Sequence, residues 1–197
     1  MIFKLGLTGS IGMGKTTTGN LFRNAGCRVW DADGAVHKMY QIGGKAVQPI
    51  RDAFPKAVVN GKVSKKFLRK ILEENPNSFR KLEAIVHPLV AQDRQYFIES
   101  SSSGVCVFDI PLLFETGGEK NMNAVVCVII DYETQKHRVL SRGTMTLTQF
   151  EQMLSKQLPI EEKCARADYI VTTETLEAAK QQVTAILADI EGRKNHA

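Results

Sequence analysis

The sequence has no apolar run long enough to cross a membrane. Its longest stretches, such as residues 124–130, fall far short of the ~20 residues a spanning helix needs. Residues 1–8 are apolar but contain Lys4, and they lack the charged leader and small-residue cleavage site of a secretory signal. They read instead as a first strand. Cysteine is sparse: Cys27, Cys106, Cys127 and Cys164 show neither C-x-x-C nor metal-ligand spacing. Three of them lie in or beside apolar runs, so the expectation is buried, reduced thiols in a reducing, cytoplasmic setting. The single tryptophan, Trp30, reads as core. There is no internal repeat and no block of like charge. Lysines and arginines are mixed with acids along the chain, at a net charge of +5. A nucleic-acid partner would want a concentrated basic patch, so none is expected, and no membrane partner either. A modest positive field does suit an enzyme with phosphorylated substrates.

What is present is alternation. Short apolar runs at Ile2–Thr8 and at residues 27–32, 105–110, 124–130 and 168–172 are separated by helical patterns. The runs are apolar at most positions, as strands covered on both faces should be. The fold class expected is α/β: a five-stranded parallel sheet with helices on both faces, the first strand central and flanked by those ending at Asp31 and Asp109. Asn75-Pro76 signals a helix start, with Phe79, Leu82, Val86 and Leu89 on one face and Pro88 set to kink or restart it. Leu176, Ala179, Val183, Ile186 and Ile190 give an amphipathic C-terminal helix. Residues 100–104, four serines and a glycine, read as a flexible turn.

One segment carries chemistry by itself. Gly9-Ser10-Ile11-Gly12-Met13-Gly14-Lys15-Thr16 follows the first strand and opens a helical stretch, the full context of a P-loop. Its glycines let backbone N–H groups face phosphates, and the helix dipole favours the anion. Gly9, Gly12, Met13, Gly14, Lys15, Thr16 and Thr17 are the expected nucleotide contacts. Lys15 would reach the β- and γ-phosphates, and the Thr16 hydroxyl would hold Mg²⁺. The fold expected is therefore the three-layer α/β/α P-loop NTPase fold.

Carboxylates at strand ends come next, because ligands of open parallel sheets sit there. Asp31-Ala32-Asp33 ends the second strand. One of these acids would take the proton of an attacking hydroxyl; the alternative is that Asp33 caps a helix starting at Gly34. Asp109 ends the third strand, where a Mg²⁺-associated acid or a turn residue would stand. Arg138 and Arg142 are four apart and would share one face of a helix. Paired guanidiniums suit charge on a transferring phosphoryl group, and a solvated basic face is the alternative. Gln135 and Gln149 are the polar residues nearby that could reach a ligand.

Over nearly its whole length the chain resembles the dephospho-coenzyme A kinase family. The similarity rests on residues 7–16, the acid pair at 31–33, the His-Pro segment at 82–88, residues 109–115 (Asp-Ile-Pro-Leu-Leu-Phe-Glu), Gln135 with Arg138 and Arg142, residues 157–159 and residues 167–171. The resemblance implies ATP and Mg²⁺ as cofactors, dephospho-coenzyme A as the small-molecule substrate and coenzyme A as product. It implies Asp33 as base for the ribose 3′-hydroxyl, helped by Lys15, Arg138 and Arg142. It places the acceptor around Thr8, Asp31, Asp33, His87 and Leu113, and the metal at Thr16 and Asp109. Residues 37–99, a long and mostly helical excursion between the second and third strands, read as a separate lobe, and the organisation expected is a core of residues 1–36, 104–131 and 167–197, a helical substrate-covering lobe of residues 37–103 and a lid of residues 132–166. The chain departs from the family pattern at Ser64-Lys65-Lys66, at Gly143, and at Thr172-Thr173-Glu174, where an asparagine near the adenine is usual. His87 on its own is equally readable as a structural residue at a helix kink, and His37, His137 and His196 suggest no site.

Other functions fit less well. Asp31-Ala32-Asp33-Gly34 matches the D-x-x-G of a GTPase switch, but it follows Lys15 too closely for a first switch segment, and no N-K-x-D guanine-reading motif is present. A nucleoside or nucleotide kinase would share the sheet and the P-loop; residues 111–115 favour the coenzyme A branch.

Overall fold

The computed structural model describes residues 2–102 and 104–195. Ser103 of the serine turn, His196, Met1 and Ala197 lie outside that description. In chain order the elements are β1 (Ile2–Thr8), α1 (Lys15–Asn24), β2 (Arg28–Asp31), α2 (Ala32–Tyr40), α3 (Val47–Ala53), a hairpin of β3 (Val58–Val59) and β4 (Lys62–Val63), α4 (Lys65–Glu74) and α5 (Asn77–Glu99). There follow β5 (Gly104–Asp109), β6 (Ala124–Ile129), α6 (Tyr132–Leu140), α7 (Leu147–Leu154), α8 (Ile160–Arg166), β7 (Tyr169–Thr172) and α9 (Leu176–Asn195). Two compact units result, one of Met1–Trp30 with Ser101–Ala197 and one of Asp31–Ser100. The contact boundary at Asp31 comes before residue 37, because α2 starts with no linker after β2 and packs with α5. No helix among the described residues is long and apolar enough to cross a membrane.

The first unit is built on a parallel sheet of order β2-β5-β1-β6-β7. β1 is central as expected, but its neighbours are β5 and β6; β2 is an edge strand beyond β5. Sequence explains the correction. β2 is four residues long and carries Arg28 exposed, whereas β5 buries its last four positions. The strand with more apolar surface to cover takes the inner place. Leu5 and Leu7 of β1 pack with Val107, Val126 and Val128, Phe22 of α1, and Ala179, Val183, Ile186 and Ile190 of α9. Each fully buried aliphatic or aromatic side chain contributes about 1.5–3 kcal/mol. A second cluster holds Leu113, Phe114 and Val125. Trp30 is buried, with its ring centroid 6.2 Å from that of Phe108. Cys106 and Cys127 are buried, and none of the four cysteines is joined in a disulfide. Burial, with Cys164 beside it, pushes the Cys127 thiol up to about 12, so it stays protonated and unreactive.

The second unit is helical apart from the β3–β4 hairpin. Asn75 starts α5 as its sequence suggests: its Oδ1 accepts from the Asn77 amide at 3.2 Å, and Pro76 already has helical angles. Pro88 does not restart the helix, which runs for 23 residues with the proline inside it. A proline removes the amide bond at its own position and its ring crowds the carbonyl one turn earlier, but the turns on either side carry the helix through. Ser64 caps α4, accepting from the Phe67 amide.

Helix α8 is held to the segment after β5 by a buried ion pair. Lys163 is fully buried, and its Nζ lies 2.8 Å from Glu115 Oε1. The same oxygen accepts from the Leu158 amide at 3.0 Å. Burial works to raise the Glu115 carboxyl. The pairing with Lys163 and the backbone amides of Glu115 and Leu158 outweigh it and hold the group below its ordinary value of 4.5. A carboxylate lowered on folding contributes stability that is present above the ordinary value and lost as pH falls through the folded one. Lys163→Met leaves the part-buried carboxylate with backbone amides as its only donors among the described residues, which should cost about 1–3 kcal/mol in chemical denaturation at neutral pH. Glu115→Gln, already weaker at neutral pH, loses less further stability on acidification than the parent; equal acid slopes would show that the pair carries no such linkage.

Candidate active site

β1 ends at Thr8, and residues 9–14 turn sharply into α1. Gly14 sits at the N-cap in a left-handed conformation (φ 92°), no side chain caps the helix, and no acid lies in its first turn. The amides of Lys15, Thr16 and Thr17 therefore lack helical acceptors, and the first helical bond runs from Thr18 to the Gly14 carbonyl at 3.0 Å. A cation rather than an acid opens this helix, against the usual dipole preference. Such an end presents free amides to an anion. Lys15 Nζ forms an ion pair with Asp109 Oδ1, on the last residue of β5. β5 is hydrogen-bonded beside β1, with Leu7 and Asp109 in register, so the sheet itself brings the acid to the P-loop lysine.

The turn is braced from behind. Gln135, on α6, is almost wholly buried, and its Nε2 donates to the Ile11 carbonyl at 2.7 Å. A Cβ on Gly12 (φ 79°) would stand 2.5 Å from Val139 Cγ2 of the same helix, and one on Gly14 would stand 2.9 Å from Thr173 Oγ1. Both glycines thus serve a left-handed turn and a close approach. Met13 is buried in the core cluster, so only its backbone is available to a ligand. Its carbonyl accepts from the Thr173 hydroxyl at 2.8 Å. Neither brace is visible in the sequence, because each depends on residues more than a hundred positions away.

Beside the turn lies a cavity of about 340 Å³, lined by Gly12, Gly14, Thr17, Arg138, Arg142 and Thr173 and continuing over residues 174–176. The two arginines do not share a helix face. α6 ends at Leu140 with Ser141 as its cap, so Arg142 lies in the following turn, ahead of Gly143 at φ 65°. Glycine's left-handed geometry stops the helix before the second arginine. Arg138 donates from Nη1 to Thr173 Oγ1 at 3.0 Å and from Nη2 to the Thr173 carbonyl at 2.7 Å. Arg142 carries none of the hydrogen bonds or ion pairs found among the described residues. Gln149 turns to its own helix, completing a capping box with Thr146 at the start of α7.

The strand-end acids separate by role. Asp31 is the N-cap of α2, and its Oδ1 accepts from the Gly34 amide at 3.1 Å. The helix therefore begins at Ala32, and Asp33 does not cap it. Asp33 lies in the first turn, exposed, and carries none of the hydrogen bonds or ion pairs found among the described residues. His87 is exposed on α5, with Nε2 4.0 Å from Glu83 Oε1. Thr8 and Leu113, the other expected substrate contacts, have buried side chains. Thr8 is buried and its hydroxyl donates to the Pro111 carbonyl at 3.0 Å. Leu113 is fully buried, where a Cβ on Gly6 would press on it. Both side chains are committed to packing at the strand ends.

The comparisons with known proteins bear on this arrangement. The family model for dephospho-CoA kinase matches residues 3–178. A curated dephospho-CoA kinase from Ruegeria pomeroyi is 56% identical over 197 residues, covering all of both chains. One from Cereibacter sphaeroides is 48% identical over 188 residues, 95% of each. The chain belongs to the dephospho-CoA kinase family. Among solved structures, TT1252 from Thermus thermophilus superposes with a TM-score of 0.83 at 28% identity, covering 95% of this chain and 97% of that one. A shikimate kinase from Acinetobacter baumannii, at TM-score 0.53 and 21% identity over 98% and 96% of the two chains, shows the shared P-loop kinase fold. The chain is thus a nucleotide-binding kinase that uses ATP.

The brace at Gln135 is open to measurement. Gln135→Met keeps the side chain's bulk but leaves the Ile11 carbonyl without its donor. About 1–3 kcal/mol of stability should be lost, and KM for ATP should rise several-fold while KM for the phosphoryl acceptor holds. An unchanged KM for ATP would separate the brace from nucleotide binding.

Proposed function

We propose that this chain transfers the γ-phosphate of ATP to the ribose 3′-hydroxyl of dephospho-coenzyme A, giving coenzyme A in the last step of its synthesis. The observation that carries the nucleotide half is the uncapped start of α1, with Lys15 beside Asp109 at the end of the central strands. In the free enzyme Asp109 compensates Lys15. The triphosphate then takes over that role, with Lys15 meeting the β- and γ-phosphates and the amides of residues 12–17 wrapping them.

Thr16 and Asp109 are the residues that would hold Mg²⁺. The Thr16 hydroxyl is exposed without a partner among the described residues, and Asp109 supplies a carboxylate beside the same turn. That pair fits an ion that takes one or two protein oxygens and completes its shell with phosphate and water. When bound, the ion supplies neutralising charge to the phosphate oxygens.

The acceptor half rests on Asp33. With Asp31 engaged in capping, Asp33 keeps a free carboxylate two residues beyond a strand of the sheet. It accepts the hydrogen bond of the 3′-hydroxyl, aims its oxygen at the γ-phosphorus and takes the proton as the new bond forms. Asp31 fixes the turn that presents it. His87 serves the acceptor side. Arg142, unpaired, supplies positive charge to the transferring group, and residues 132–166 act as the lid that excludes water. Four cysteines outside any disulfide favour a cytoplasmic setting.

A coupled assay of ATP consumption against dephospho-coenzyme A, nucleosides and nucleotides, with GTP as alternative donor, tests the assignment: dephospho-coenzyme A with ATP should be the preferred pair. Asp33→Asn should lower turnover about 10²- to 10⁴-fold with ATP affinity and melting temperature near those of the parent. Near-normal turnover would remove Asp33 from the chemistry. Lys15→Ala should lose transition-state stabilisation worth several kcal/mol, about 3 or more.

A further inference from the structure

We infer that Thr173 is a positioning residue for ATP, acting through Arg138 to assemble the wall of the nucleotide cavity before any ligand arrives. The inference rests on the reading of that cavity as the ATP site and goes beyond it, to a residue behind the phosphate turn.

Thr173 follows β7 and is buried. Its amide donates to the Ile129 carbonyl at 3.0 Å, extending the pairing of β6 and β7 by one residue. That bond fixes the backbone, so the hydroxyl and the carbonyl are presented in set directions. The hydroxyl's single proton goes to the Met13 carbonyl at 2.8 Å, with the Ile129 carbonyl farther off at 3.4 Å. One of its lone pairs accepts from Arg138 Nη1 at 3.0 Å, and the Thr173 carbonyl accepts from Nη2 at 2.7 Å. The methyl group packs at Gly14, where an added Cβ would stand 3.0 Å from Thr173 Cγ2. One residue thus ties the end of the sheet, the phosphate turn and an arginine of α6 into a single cluster.

A guanidinium gripped at two nitrogens by fixed acceptors keeps its place and plane far better than one in solvent. Arg138 lines the cavity together with Gly12, Gly14 and Thr17 of the phosphate turn. ATP entering it meets an arginine already immobilised and pays no ordering cost for that long side chain. Arg142 lines the same cavity without any such anchor. The two arginines therefore divide the work, Arg138 as fixed wall and Arg142 as the cation free to follow the phosphoryl group.

The test separates the hydroxyl from the bulk. Thr173→Val keeps the shape and the packing against Gly14 but removes the bond to Met13 and the one from Arg138 Nη1. Its KM for ATP should rise about tenfold, with kcat at saturating ATP and KM for dephospho-coenzyme A within about twofold of the parent. Thr173→Ser, which restores the hydroxyl, should return KM for ATP to within about twofold of the parent. Arg138→Lys keeps the charge but loses the two-pronged grip on the Thr173 hydroxyl and carbonyl, and should raise KM for ATP at least as much as the valine change. Combining it with Thr173→Val should raise KM by less than the product of the two single effects, because both weaken the same Thr173–Arg138 pairing. A valine variant with parental KM for ATP and only a lower melting temperature would overturn the inference, as would full additivity in the double variant. If the valine variant does not fold, the serine and lysine variants decide: a serine KM raised as much as the lysine one, or a lysine KM like the parent's, is equally fatal. Absence of transfer from ATP to dephospho-coenzyme A in the parent would instead overturn the proposed function.

Discussion

Helix α1 begins at Lys15 with free amides, a cation in its first turn and no cap. That is an unfavourable way to start a helix, and the surrounding structure is organised to hold it. Two glycines in left-handed geometry turn the chain into it, and both are pressed so closely by Val139 and Thr173 that no larger residue fits. Gln135 and Thr173 satisfy the carbonyls of Ile11 and Met13 from behind. With the Ile11 and Met13 carbonyls bound from behind, the amides of Lys15, Thr16 and Thr17 stand without helical acceptors, and these are what a phosphate chain completes.

Charge follows the same logic. The lysine that would repel the positive end of its own helix is balanced by Asp109, delivered by the neighbouring strand. The acids after β2 divide their tasks by geometry: Asp31 points back to an amide three residues on, and this leaves Asp33 unspent. The arginines divide likewise, one locked to Thr173 and one beyond the end of its helix. In each pair, one member is consumed by structure so that the other remains available to a ligand.

Much of this was legible in the chain. The five apolar runs became the five strands of the sheet, because a strand covered on both faces must be apolar almost throughout. The P-loop was readable because its requirements are local: glycines where φ is positive, a lysine and a hydroxyl at the helix start. Family membership followed from motifs kept in order. Strand order was not legible. Nothing local says that β5 inserts between β2 and β1; the choice depends on comparing the apolar surface of whole strands. Leu113 and Thr8 looked like ligand contacts because they stand in motifs, whereas their burial is decided by what packs on them from elsewhere.

By itself, then, the sequence determined the elements, the phosphate turn and the identity of the acids and bases near it. These depend on backbone propensity, hydrophobic period and spacing, all short-range properties of the chain. Tertiary structure alone decided which side chains are free. Asp33 is available and Asp31 is not; Arg142 is unpaired and Arg138 is held; Gln135 and Thr173 support the turn from positions 124 and 160 residues away from the carbonyls they bind. Hydrogen-bond partners at such separations are set by the folding of the sheet and its helices, and no local pattern encodes them.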